Sequence, residues 1–181
     1  LGQALDFGVA DSYVNASNPS SLNDVVQTTI SAWIYPRGWG QSSFGRIMAK
    51  ETRSFFLCET TAQCQGTVTQ SIAYTQKRST TNLKWTMPSQ SIELNTWQHI
   101  VITYDNSSDT NDPVFYKNGA VVGTVETFTD TGPAASDAAY PLYIGNRPAL
   151  DRDFNGFIDD FRIYNRALSA QEITALYQLG R

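Results

Sequence analysis

Apolar and polar residues alternate along most of this chain with the two-residue period of a half-buried strand. The segment Gln27-Thr28-Thr29-Ile30-Ser31-Ala32-Trp33-Ile34-Tyr35 reads as one strand closed by Pro36. Shorter runs follow at Arg46–Lys50, Ser54–Cys58 and Ser71–Thr75, and the most apolar run is His99–Tyr104. Pro113–Lys117 leads into Asn118-Gly119 and then Ala120–Val125. Asn-Gly between two such runs predicts a tight hairpin, because both residues tolerate positive φ. Tyr140–Gly145 and Gly156–Tyr164 complete the set. One segment switches period. Ser169-Ala170-Gln171-Glu172 has the form of a capping box, and Ile173, Leu176 and Tyr177 then recur at helical spacing.

Many short strands separated by Gly, Asn, Asp, Ser and Pro loops predict an all-β, two-sheet antiparallel β-sandwich or jelly roll with a short C-terminal helix. A length of 181 residues fits a single domain spanning 1–181, and 41% hydrophobic residues suffice for its core. Linkers, low-complexity tracts and internal repeats are absent from the sequence. The formal net charge of −4 and the lack of a basic stripe argue against nucleic acid. No apolar run approaches the ~18 residues of a membrane span. The chain opens Leu1-Gly2-Gln3 without an initiator Met, basic n-region or cleavage site. It is therefore read as processed or excised from a larger protein.

Cys58 and Cys64 have five residues between them, near a strand end. A short loop can bring them together as a disulfide, which would point to an oxidising compartment; two half-buried thiols are the other reading. With the lone His99 they cannot fill the four ligands of a zinc site.

Several segments, taken in order, resemble the laminin G-like jelly-roll domains of the concanavalin A-like lectin/glucanase superfamily. They are Ala4–Phe7 with Asp11–Val14, Thr29–Pro36, Asn95–Asp105, Phe115–Gly119, Leu142–Gly145 and Phe154–Ser169. The last is similar to the family's closing strand almost letter for letter. The loops Trp39–Ser43 and Asn106–Asp112 are longer than the usual turns. The resemblance implies the concanavalin A-like fold and an extracellular or surface-displayed module. It also implies a structural calcium on Asp159, joined by an N-terminal acid, Asp6 or Asp11.

The residues themselves leave that calcium open. Strict alternation would put Phe157, Asp159, Phe161 and Ile163 on one apolar face, where a carboxylate needs compensation. A calcium ion supplies it; so do backbone N–H groups at a strand end. Asp105, Asp109 and Asp112 read as a solvated loop or as a second calcium site. Asp160 and Arg162, two residues apart, read as a solvated ion pair.

A glucanase-type E-x-D-x-x-E strand is absent, and no Glu of the chain has an Asp two residues on. The expected function is therefore non-catalytic binding of a glycan or cell-surface glycoconjugate. A protein-interaction, adhesion or virion-surface module is the alternative, and a glycoside hydrolase comes last. Sugars stack on exposed aromatics and take hydrogen bonds from polar neighbours. Trp39, between Gly38 and Gly40, and Trp85, outside the family segments, are the stacking candidates, with Arg78 and Arg147 as hydroxyl or carboxylate contacts. Trp33 and Trp97 lie in family strands and read as structural.

Overall fold

The structure, a computed structural model, describes residues 3–78, 81–129 and 131–180, so the opening Leu1-Gly2 lies outside the described residues. Thirteen strands and two α-helices are present among the described residues. In chain order the strands are β1 (Leu5–Asp6), β2 (Val14–Asn15), β3 (Gln27–Pro36), β4 (Arg46–Lys50), β5 (Arg53–Cys58), β6 (Ser71–Lys77), β7 (Asn82–Thr86), β8 (Gln98–Asp105), β9 (Val114–Lys117), β10 (Ala120–Val122), β11 (Val125–Phe128), β12 (Tyr143–Ile144) and β13 (Gly156–Tyr164). The helices are α1 (Thr61–Cys64) and α2 (Ala170–Leu179). They form a six-stranded sheet, β1-β13-β3-β8-β9-β10, and a seven-stranded sheet, β11-β7-β6-β5-β4-β12-β2. The pairings are antiparallel throughout. This is the expected β-sandwich.

Alternation builds the core. Ile30, Ala32 and Ile34 of β3 and Ile100, Ile102 and Tyr104 of β8 pack inward against Phe55 and Leu57 of β5, Ile72 and Tyr74 of β6, and Leu83 and Trp85 of β7. β3 is apolar in the other phase as well, because Trp33 and Tyr35 face outward. A strand apolar on both faces needs a second cover, and α2 supplies part of it. Ile173 packs with Leu168, Val101 and Tyr116, while Tyr177 stacks 5.6 Å from Trp33. The Ser169 Oγ accepts the Glu172 N–H at 3.3 Å, and Glu172 returns a bond from the Ser169 N–H at 2.8 Å, which completes the predicted capping box. Asn118 (φ 53°) and Gly119 (φ 80°) turn the β9–β10 hairpin as the sequence predicts.

The last strand departs from strict alternation. Asp159 pairs with Trp33 and Arg162 with Ser31, so three steps on β13 match two on β3. Asp160 sits at the extra position with φ 47°. A bulge re-phases the strand. Ile158 is in the core before it, and Phe161 and Ile163 pack on the core after it. Phe157 and Asp159 therefore lie on the outer face, not on one apolar face with Phe161 and Ile163.

Cys58 and Cys64 are bonded, with Cα atoms 5.1 Å apart, and they pin α1 to the end of β5. The buried thiol reading is set aside.

Candidate functional site

Two surfaces on opposite sheets stand out. The first lies on the outer face of the six-stranded sheet, beyond the end of α2. There Tyr35 and Trp97 rings meet at 5.6 Å, Tyr35 and Phe157 at 6.0 Å, and Trp97 and Phe157 at 6.4 Å. All three are half-buried and line an open depression of about 440 Å³ with Ala4, Arg37 and Asn95. The Arg37 guanidinium lies over Phe157 at 4.8 Å and is ion-paired with Asp6. Asn95 is exposed beside Trp97 and holds φ 58°. Apolar ring faces, an amide and a guanidinium thus share one shelf.

The second surface is a groove of about 420 Å³ on the outer face of the seven-stranded sheet. Its floor is made by outward residues of β4 to β7, among them Arg46, Ser54, Phe56, Thr75 and Lys84, with Phe44, Glu51 and Arg147 around them. Arg46 Cζ stands 4.0 Å over the Phe56 ring, and Lys84 Nζ 5.3 Å from it. Burial pushes the Lys84 ammonium down to about 8, with repulsion from Arg46 adding to it. Burial likewise brings Arg46 down to about 9, helped by the charges of Arg147 and Arg152.

The predicted site residues are scattered by comparison. Trp85 is fully buried in the core, and its Nε1 donates to Asp112 Oδ1 at 2.8 Å. That corrects the expectation of an exposed stacking ring: Trp85 sits on the inward phase of β7. Trp39 is half-buried and packs against the core edge. Its loop is drawn in because a Cβ at Gly40 (φ 78°) would lie 2.3 Å from the Asp153 carbonyl oxygen. Arg78 is buried as well, donating to Tyr104 Oη at 3.0 Å and to the Ser108 and Gly132 carbonyls. It ties loops together and is not free to meet a ligand. Arg147 does reach the groove, with its Nε–Nη2 edge given to Asp151, at 2.5 and 2.6 Å. Trp97, read as structural, is instead half-exposed on the shelf, while Trp33 is buried under α2 as expected.

Among the proposed metal residues, Asp6 is exposed and engaged by Arg37 and by the Gly8 N–H. Asp11 stands on an exposed turn with φ 63°. Among the described residues no group of three or more His, Cys, Asp or Glu converges as a metal set. Asp159 itself takes the Asp160 N–H on Oδ1 at 2.8 Å, while its Oδ2 is buried without a hydrogen-bond partner among the described residues. In the long loop, Asp105 accepts from Ser107 and Gln27, Asp109 from the Gly132 N–H, and Asp112 from Trp85. Those three acids staple separate segments. Asp160 and Arg162 pair at 2.7 Å, as the spacing predicts.

The shelf could have been found from the sequence. Tyr35 and Phe157 lie in the outward phase of strands whose inward phase is already apolar, and the helix is too short to cover both Trp33 and Tyr35.

A sequence model of the laminin G type, for the concanavalin A-like lectin/glucanases superfamily, matches residues 7–174. No curated protein matches the sequence. Among solved structures, the binding domain of Paraclostridial Mosquitocidal Protein 1 is similar, with TM-score 0.68, 18% identity, and 98% of this chain covering 45% of that one. A structure of botulinum neurotoxin type C, whose cell entry depends on interaction with two ganglioside molecules, gives TM-score 0.63 at 14% identity, over 93% of this chain and 40% of that one. The binding domain of botulinum neurotoxin DC in complex with rat synaptotagmin II gives TM-score 0.59 at 16% identity, over 87% of this chain and 36% of that one. The chain spans less than half of each of these chains, and at such identities the likeness shows the fold. No helix among the described residues is long and apolar enough to cross a membrane.

Proposed function

The chain belongs to the concanavalin A-like lectin/glucanases superfamily, and on that premise we propose that it is a non-catalytic carbohydrate-binding module of an extracellular or surface-displayed protein. The observation that carries this reading is the Tyr35–Trp97–Phe157 shelf. Three half-buried rings line an open depression beside Asn95 and Arg37. Pyranose C–H faces stack on such rings, and the polar neighbours take the hydroxyls. The disulfide supports an oxidising compartment. Glycosidases need two facing carboxylates. Among the described residues the groove is lined by one, Glu51, and the shelf by none.

A glycan array followed by calorimetry tests the reading. Trp97→Ala should weaken the best glycan at least tenfold with little change in thermal midpoint, because Trp97 is only half-buried. Affinity unchanged in that variant would remove the shelf from the site. The alternative, a protein-interaction module, draws on the same apolar shelf and on the structural relative solved with synaptotagmin II. An array without a binder, together with capture of a protein that Trp97→Ala abolishes, would favour it.

The calcium in this proposal rests on Asp159 alone, through the buried, unpartnered Oδ2; backbone carbonyls and water would complete its shell. Thermal melts in EDTA and then in calcium decide the matter. A calcium-dependent rise that Asp159→Ala removes supports the ion, and equal midpoints take it out of the proposal.

A further inference from the structure

We infer that the groove on the seven-stranded sheet is an oxyanion site in which Arg46 and Lys84 hold the single carboxylate or sulfate of a small acidic saccharide. Most buried or half-buried cations of the described residues have an acid beside them. Lys50 and Arg53 have Asp137, Lys117 has Glu93, and Arg147 and Arg152 have Asp151. Arg78 lacks one but gives its terminal nitrogens to three oxygens. Among the described residues Arg46 and Lys84 form no ion pair, although Lys84 is only 8% exposed.

A buried cation without a counter-charge is costly. The protein offsets this with ring faces, Arg46 over Phe56 at 4.0 Å and near Phe44 at 5.9 Å. A ring face attracts the plane of a guanidinium and leaves its edge N–H groups unused. Arg46 Nε and Nη1 are indeed buried with no hydrogen-bond partner among the described residues. Lys84 Nζ uses one of its three donors, on the Gln63 carbonyl at 2.7 Å. Burial leaves Arg46 at about 9 and Lys84 at about 8, so both are charged at neutral pH. An oxyanion on the groove floor would give these donors the partner they lack.

The surroundings choose the rest of the ligand. Ser54, Thr75 and Asn82 line the same groove and offer hydroxyl and amide groups. A volume of about 420 Å³ lies in the range of small-molecule sites. Glu51 also lines it, and the chain carries a net charge of −4. Both repel a polyanion, so one acid group on an otherwise neutral polar ligand fits best.

The saccharide rests on the glycan reading above, whereas the anion does not. The full chain would be titrated at fixed ionic strength with glucuronate, glucose 6-sulfate, glucose and sodium sulfate, followed by NMR. The expected result is binding of at least one acidic sugar, ten-fold or more tighter than glucose, with shifts at Thr75 and Asn82. Whether glucuronate or the sulfate ester binds identifies the group. Lys84→Gln should lose that preference while its thermal midpoint stays or rises; Arg46→Gln should do the same where it folds. Trp97→Ala should leave it intact, which separates this site from the shelf. Equal affinity for glucose and both acids, or an unchanged preference in Lys84→Gln, would overturn the inference. Sodium sulfate bound without either sugar would overturn the saccharide while leaving the shelf untested by that result.

Discussion

Lys50 Nζ and Asp137 Oδ1 lie 3.2 Å apart, and their side chains are 1% and 2% exposed. Arg53 reaches the other oxygen of the same carboxylate at 2.5 Å. Lys50 also donates to Asn18 and Asn23, and the Asp137 N–H donates to Asp24. Strands β4 and β5 are thereby tied to the loop before β3 and to the loop before β12. The Asp137 N–H and Ser136 hold the Asp24 carboxyl below its ordinary range.

Removing the shared carboxylate strands two buried cations. Asp137→Asn should cost about 3–5 kcal/mol in urea unfolding. Lys50→Met should cost less, since Arg53 keeps Asp137 neutralised and the apolar stem is retained. A smaller loss for Asp137→Asn than for Lys50→Met would contradict this ranking.

The β13 bulge makes a second prediction. Asp160 is held at φ 47°, where a β-branched residue is strained and glycine is not. Asp160→Val should lower stability by roughly 1–2 kcal/mol. Asp160→Gly should stay near wild type, losing only the part-exposed pair with Arg162. Thermal melts of the two variants check the sign; a glycine variant as unstable as the valine one would mean that the ion pair, not the backbone, holds the bulge.

How far the sequence could be read follows from these residues. Alternation and the Asn118-Gly119 turn disclosed the sandwich, and the box at Ser169 disclosed α2, because each depends on neighbours a few residues apart. The bulge at Asp160 was invisible, since one extra residue shifts the phase without changing composition. That shift moved Asp159 to the outer face. Burial of Trp85 and Arg78 depends on contacts with Asp112 and Tyr104, over 20 residues away. Arg46 and Lys84 lie on strands separated by β5 and β6, and only the sheet order brings them to one aromatic ring.

The disulfide links the fold to the groove. Gln63, whose carbonyl holds Lys84, sits inside the loop closed by Cys58 and Cys64. Loop-closure entropy for so short a loop gives about 2 kcal/mol. Replacing both cysteines with alanine should lower stability by about that much in chemical denaturation. Lys84 should then react faster with an amine-selective label. An unchanged labelling rate would show that Gln63 is held by its other contacts.

His99 sets the acid limit of the fold. It is 1% exposed, tilted against Trp33 at 5.3 Å and stacked 6.1 Å from Tyr177, with Nε2 at 2.8 Å from Ser31 Oγ and Nδ1 lacking a partner among the described residues. Burial pushes it down to about 4 from 6.5; Asp160 opposes the shift and Arg162 adds to it. The unfolded chain therefore binds the proton first as pH falls. Stability from this group is complete above about pH 6.5 and drains away down to about pH 4. The shift between 6.5 and about 4 corresponds to about 3 kcal/mol. Asp151 and Glu172, each held down to about 2 by an arginine, begin to act only near their ordinary values of 3.8 and 4.5, at the acid end of this range. Unfolding free energies measured from pH 7 to 4 should fall steeply for the wild type. His99→Gln, which cannot titrate but can still bond to Ser31, should give a nearly flat curve from pH 7 to 5 and a shallower fall than wild type below it. Parallel curves for the two proteins would assign the acid sensitivity to the carboxylates instead.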